Sequence, residues 1–260
     1  MAPPQFRACL FAAIAWALAS TVAVSAAAEP PKRTGWKLIF HDGFDSEKLD
    51  AKKWTPADPW GKVRNNELQA YVPEAVELTD GVLRIRADRA VAEYDGQQRA
   101  YTSGIVTTHK KFTFSQGLAE VRCRVPSGRG LWPAVWLLPE PLGWPPEIDI
   151  FEFLGQEPTK VHMTHHWRDL GKVRSHTESW SGPDFSKDFH TFTIDWDATQ
   201  IAWSVDGVER FRSLQSIPTA EMYLLMNLAV GGDWPGAPDD TTQLPAFLEV
   251  DYVSVYQRAK

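Results

Sequence analysis

Cysteine is nearly absent, since the 260 residues hold only Cys9 and Cys123. Cys9 sits in the N-terminal apolar run, so the chain after that run has one thiol and no internal disulfide. Cys123 alternates with charged residues in "EVRCRV", and no neighbour there would hold a thiolate. It reads as a small buried side chain rather than a nucleophile. Internal repeats, low-complexity tracts and blocks of like charge are missing as well. The net charge of -6, from 27 Lys and Arg against 33 Asp and Glu, gives no basic surface for nucleic acid or an anionic membrane. Zinc is disfavoured, because His165 and His166 are adjacent in a strand-like run and point to opposite faces, with no Glu or Cys at ligand spacing.

Long apolar runs are confined to the N-terminus. There Arg7 precedes "ACLFAAIAWALASTVAV" and the small residues "SAAA" follow, the pattern of a secretory signal over 1–28 cleaved near Ala28. The run is short for a spanning helix and has no stop-transfer flank, so a retained anchor is the minor alternative. The expectation is a secreted or periplasmic protein, free of the membrane in its mature form, with one domain over 29–260.

What the sequence has in quantity is aromatic and alternating. Twelve Trp and thirteen Phe accompany 43% apolar residues, enough for a sizeable core and for stacking on an uncharged partner. Sustained helical periodicity is hard to find. Short alternating segments such as "GVLRIRAD", "GLAEVRCRVP", "HTFTIDWD" and "FLEVDYVSVYQ" are separated by Gly, Pro, Asn and Asp. They predict an all-β sandwich of two antiparallel sheets. The first strand and the last are candidates to pair, which sequence alone does not show.

Within this pattern "EIDIFEF" is unusual for the charge it carries. In a flat strand Glu147 and Asp149 would share a face with Phe151, and Glu152 would fall on the other. A bulge at Ile150–Phe151, with Phe151 as the extra residue, would bring all three carboxylates to one face and leave Ile148 and Phe153 in the core. The plain alternative is the solvated face of an edge strand. Against it stand the cost of clustering like charges and the nearness of Trp132, Trp136 and Trp144 in sequence. Two carboxyls of unequal pKa suit glycosidic bond cleavage, in which one attacks the anomeric carbon and the other protonates the leaving oxygen.

"EIDIFE" resembles the Glu-x-Asp-x-x-Glu signature of glycoside hydrolase family 16. The segments "GLAEVRCRVPSGRGLWPAVWLLP", "NNELQAYV", "FHTFTIDWD", "IAWSVDG" and "MNLAVGGDWPG" resemble that family's bacterial β-1,3-glucanases, the laminarinases, from about Trp36 to Gln257. The resemblance implies a concanavalin-like β-jelly roll with an open substrate cleft. It also implies a retaining endo-glycosidase in which Glu147 is the nucleophile, Glu152 the general acid and base, and Asp149 a residue that orients Glu147. Two residues between Asp149 and Glu152 favour the laminarinase side over the mixed-linkage β-1,3-1,4-glucanases of the unbulged pattern. A transglycosylase would share every one of these residues. A carbohydrate-binding sandwich would use the aromatics but have no need of the acids.

By the same resemblance Trp132 and Trp136, four apart and so on one face of a strand, are aromatic platforms beside the cleavage point, with core packing as the alternative. Asn65 is a candidate sugar contact, while Glu67 and Gln69 are either that or structural. His166 is expected beside Glu152, and His162 and His165 at the surface or in packing. Trp234 walls the cleft or caps the core. No cofactor is needed for catalysis. A structural calcium would use Asp251 and the Gly81 carbonyl, although Gly43 replaces the acidic residue usual before Phe44. The expected partner is a β-glucan polysaccharide, and the protein is expected to act as a monomer.

Overall fold

Alternation of apolar and polar side chains builds two antiparallel sheets. The computed structural model describes Met1 and residues 29–259; the signal expected over 1–28 lies, beyond Met1, outside them, as does Lys260. One sheet has eight strands. Seven run in the spatial order Val208–Ser213, Ile201–Val205, His190–Trp196, Gly117–Arg124, Ala246–Arg258, Val82–Ala87 and Val76–Thr79. The eighth, Trp36–Asp42, pairs antiparallel with Ala246–Arg258, so the first and last strands do meet. The other sheet has six, in the order Lys172–Ser181, Lys160–Asp169, Glu147–Phe153, Leu131–Pro139, Met222–Val230 and Ile105–Thr107. The single helical element among the described residues is a 3-10 turn at Pro73–Ala75. The architecture is the expected all-β jelly roll.

The core lies between the sheets. Leu83, Ile85 and Ala87 of one sheet face inward every second residue, as do Met222, Leu224, Met226, Leu228 and Val230 of the other. Cys123 is buried in this core, and desolvation pushes its thiol well up, away from thiolate character. The six-stranded sheet is covered on its outer face too. There Tyr223 and Leu225 join Ile105 and Leu138 in a second apolar cluster, against which Trp60, Tyr71 and Trp136 pack.

Glu147–Phe153 carries the predicted bulge. On one side Asp149 pairs with Trp136 and Phe151 with Val135, so Ile150 has no partner; on the other, Asp149 pairs with Thr164 and Glu152 with His162. The extra residue is therefore Ile150 on the Leu131–Pro139 side, not Phe151. Burial explains the choice. A flat strand would send Glu152 into the core and Phe151 and Phe153 out among the acids. As folded, Ile148, Ile150, Phe151 and Phe153 are all core residues, and Phe151 packs 4.6 Å from the Phe192 ring. Burying each such side chain stabilises by about 1.5–3 kcal/mol, and an unpaired buried charge costs several, so the kink wins. From the opposite sheet the buried Trp203 indole donates to the Asp149 carbonyl oxygen at 2.8 Å, tying the bulge to the core.

Candidate active site

The outer face of the six-stranded sheet holds a cleft of roughly 590 Å³. Alternate residues of Leu131–Pro139 supply its floor, with Trp132, Ala134, Trp136 and Leu138 facing in, while Glu147, Asp149 and Glu152 come from the neighbouring strand. The bulge is what puts the third acid there. Asp149 is the deepest of the three at 3% exposed, and its Oδ2 has no hydrogen-bond partner.

Two indoles reach the two glutamates. Trp144 Nε1 donates to Glu147 Oε2 at 2.8 Å, and Trp132 Nε1 donates to Glu152 Oε1 at 3.1 Å. Burial pushes Glu147 well above the usual carboxylate range; the nearby Asp149 adds to this, and His166 and the Trp144 indole oppose it. Asp149 is pushed well up by desolvation and then by Glu152. Glu152 is raised to about 7, chiefly by burial and next by Glu147, against the Trp132 hydrogen bond. Three carboxyls this close cannot all ionise, so the cluster keeps protons at neutral pH. Each glutamate has one indole N–H donor and each is opposed in its rise by His166, so the electrostatics alone do not say which of the two holds the charge.

His166 shares the cleft with Glu152 and opposes the rise of its pKa, as expected of a neighbour, while standing nearer Glu147 and Asp149. It pairs across the strands with Glu147, and its Nε2 lies 3.7 Å from Glu147 Oε1 and 3.4 Å from Asp149 Oδ2. His162 is the residue opposite Glu152. The register runs unbroken from Glu147 to Asp149 and slips by one residue before Glu152, so the bulge sets His162 opposite Glu152 and leaves His166 at Glu147. His162 packs its ring 4.8 Å from Trp234, and His165 is fully buried and lowered to about 4 by desolvation and then by His166. Both therefore pack, and neither is a surface group.

Trp132, Trp136, Asn65 and Trp234 all line the cleft. Trp234, 41% exposed, forms a wall with its ring 5.4 Å from and perpendicular to Trp132. Its loop is held by Asn66 Nδ2 donating to Asp233 at 2.9 Å and by Gly232, where a Cβ would lie 2.9 Å from the Asn65 carbonyl. Trp136 Nε1 donates to Asn227 Oδ1 at 2.8 Å, and Asn227 Nδ2 to Tyr71 at 3.0 Å. Glu67 accepts from Gln69 at 2.7 Å and from Asn65 at 3.3 Å. Glu67 and Asn65 reach the cleft, while Gln69 is structural and accepts from the Val230 amide.

Trp60, Arg64, Tyr71, Thr164, Thr177 and Asn227 also line the cleft and were not singled out from the sequence, although Tyr71 and Asn227 lie in segments that carry the family resemblance. Arg64 is held by Asp58, which also accepts from Tyr94.

Of the calcium ligands suggested by sequence, Asp251 is ion-paired with Arg122, and Gly81 lies beside the Asp45 carboxylate. The guanidinium already supplies the positive charge a calcium ion would bring to Asp251, so these residues do not fit the ion. Among the described residues, the one group of three metal-ligating side chains that converges is Glu147, Asp149 and His166. Glu147 and Asp149 are neighbours on one strand and His166 comes from the next, so only the strand pairing brings the three together.

Comparison with known proteins adds to this geometry. The sequence model of the glycosyl hydrolases family 16 matches residues 65–252. A beta-glucanase of Rhodothermus marinus is 36% identical over 255 residues, covering 87% of this chain and 87% of that one. An endo-1,3-1,4-beta-glycanase of Rhizobium meliloti is 34% identical over 238 residues, which are 84% of this chain and 51% of the longer relative. Among solved structures, the endo-beta-1,3-glucanase from Pyrococcus furiosus superposes with a TM-score of 0.78 at 35% identity, over 86% of this chain and 95% of that one.

Proposed function

This chain belongs to glycosyl hydrolase family 16 and is a glycoside hydrolase, and from that premise we propose that it cleaves internal β-1,3-glucosidic bonds of a β-glucan by double displacement. The observation that carries this reading is the single bulged strand that turns Glu147, Asp149 and Glu152 into one open cleft between Trp132, Trp136 and Trp234. Glu147, the first acid of the Glu-x-Asp-x-x-Glu signature, attacks the anomeric carbon. Glu152, raised to about 7, gives its proton to the leaving oxygen. Water then loses a proton to Glu152 and displaces Glu147 from the glycosyl-enzyme. Asp149, the most buried, shares a proton with Glu147 and orients it. Acid, base and nucleophile all come from the chain, so the reaction asks for no cofactor.

With Glu147 as nucleophile and Glu152 as acid and base in a double displacement, the product is expected to keep the β-configuration. Proton NMR of the anomeric signals in the first minutes of hydrolysis tests this, and the α-anomer appearing first would overturn it. E152Q is expected to lower kcat by roughly 10²–10⁴-fold, and E147Q at least as much, with native near-UV CD. Full activity in either variant would sink the assignment.

A second reading is cleavage of mixed-linkage β-1,3-1,4-glucan, favoured by the likeness to an endo-1,3-1,4-beta-glycanase. Product analysis on laminarin, lichenan, agarose and galactan separates the two. The covalent intermediate also lets a sugar acceptor compete with water, so longer products are expected at high substrate concentration. Because a polysaccharide does not cross membranes, we place the mature protein outside the cytoplasm, as the N-terminal signal implies.

A further inference from the structure

We propose that the two cleft indoles assign the oxygens of the two working carboxyls. Trp132 fixes Glu152 Oε1 as an acceptor, so the transferable proton rides on Oε2, and Trp144 occupies Glu147 Oε2, so Oε1 makes the bond to the anomeric carbon. The proposal rests on the double-displacement reading and deepens it.

An indole N–H donates and cannot accept. An oxygen facing it therefore has to present a lone pair, and a proton on that oxygen would point at another proton. Trp132 Nε1 is 3.1 Å from Glu152 Oε1, and Trp144 Nε1 is 2.8 Å from Glu147 Oε2. An oxygen that already accepts an indole N–H is the weaker base and nucleophile of its pair, so the oxygen free of an indole donor is favoured for the chemistry. The remaining oxygen of Glu147, Oε1, is the one facing His166.

The steps balance as follows. A lone pair on Glu147 Oε1 forms the bond to the anomeric carbon, and the glycosidic C–O bond breaks with its pair going to the leaving oxygen. That oxygen takes the proton from Glu152 Oε2. In the ester, Trp144 continues to donate to Oε2, now the carbonyl oxygen. Water then attacks the anomeric carbon and passes a proton to Glu152 Oε2, and the pair in the ester bond returns to Glu147 Oε1. Trp132 and Trp144 are positioning residues here, whatever stacking they also give the sugar.

Removing either indole N–H takes a donor from the ionised carboxylate, so the pKa of that carboxyl rises. The other titratable or charged groups facing the pair are Asp149 on the same strand, His162 and His166 on the next, and Arg64 and Glu67 from the loop. Neither substitution alters them. The test is the pH profile of kcat/KM for the full chain on soluble β-1,3-glucan, in W132F and W144F. W132F is expected to move the alkaline limb up by roughly half a unit or more and leave the acid limb, and W144F to move the acid limb up and leave the alkaline one. Replacing Trp132 with benzothienylalanine removes only the N–H and keeps the ring, which serves if the Phe variant loses its fold or its stacking. Limbs that stay in place while rates fall, or that move together, would overturn the oxygen assignment. E147Q or E152Q retaining activity would instead overturn the double-displacement reading itself, so the two failures are distinct.

Discussion

At Glu152 one carboxyl shows what the cluster costs the fold. Its native pKa is about 7, while an unfolded glutamate titrates near 4.3. Between those values the native state binds the proton and the unfolded state does not, so stability falls as pH rises through this window. Below it the penalty is absent. E152Q holds no titrating group, so it is expected to gain Tm over the parent as pH goes from 4.5 to 7.5 and to gain little at pH 4.5. Scanning calorimetry at the two values checks this, and an equal difference at both would contradict it.

In the strand Glu147–Phe153 the bulge is worth isolating. Deleting Ile150 converts "EIDIFEF" to simple alternation with Phe151 still inward and Glu152 still in the cleft, so the strand keeps its acids but loses its kink. Such a variant is expected to fold with lower stability, to lose most activity on laminarin, and to shift its remaining preference toward lichenan. Unchanged rate and preference would remove any role for the bulge. The three acids were legible because their chemistry and spacing lie within six residues of sequence, and the parity conflict at Glu152 pointed to the bulge. The neighbours of the acids were not. His166 sits across from Glu147 and His162 across from Glu152 because the register of the neighbouring strand sets those pairs, and a single sequence does not fix that register. Trp60 and Arg64 reach the cleft from a loop with no local pattern, while Tyr71 and Asn227 lie on separate strands whose family-like segments do not by themselves say that their side chains meet. The two-sheet sandwich was readable from alternation, whereas the pairing of its end strands was not, because alternation does not say which strands are neighbours.

Across the whole molecule, the outer face of the eight-stranded sheet is laced with ion pairs. Besides Arg122 with Asp251, Arg124 reaches Glu249 at 2.7 Å and Arg84 reaches the same carboxylate at 3.4 Å. Each such exposed pair contributes about 0–1 kcal/mol. With Asp251 satisfied in this way, EDTA is expected to leave Tm unchanged and added calcium to leave it unchanged too. A drop of several degrees in EDTA, restored by calcium, would show that the ion binds after all. The hydrogen bond from Trp203 to the bulge has a consequence in time as well as in space. Its indole proton is sealed behind the strand and is expected to exchange with deuterium only when the sheets part, whereas that of Trp144, 47% exposed, exchanges at once. The acid strand thus has a slow back and a fast front, so the cleft side can breathe and admit a bulky chain while the register that aligns the acids stays locked for the lifetime of the fold.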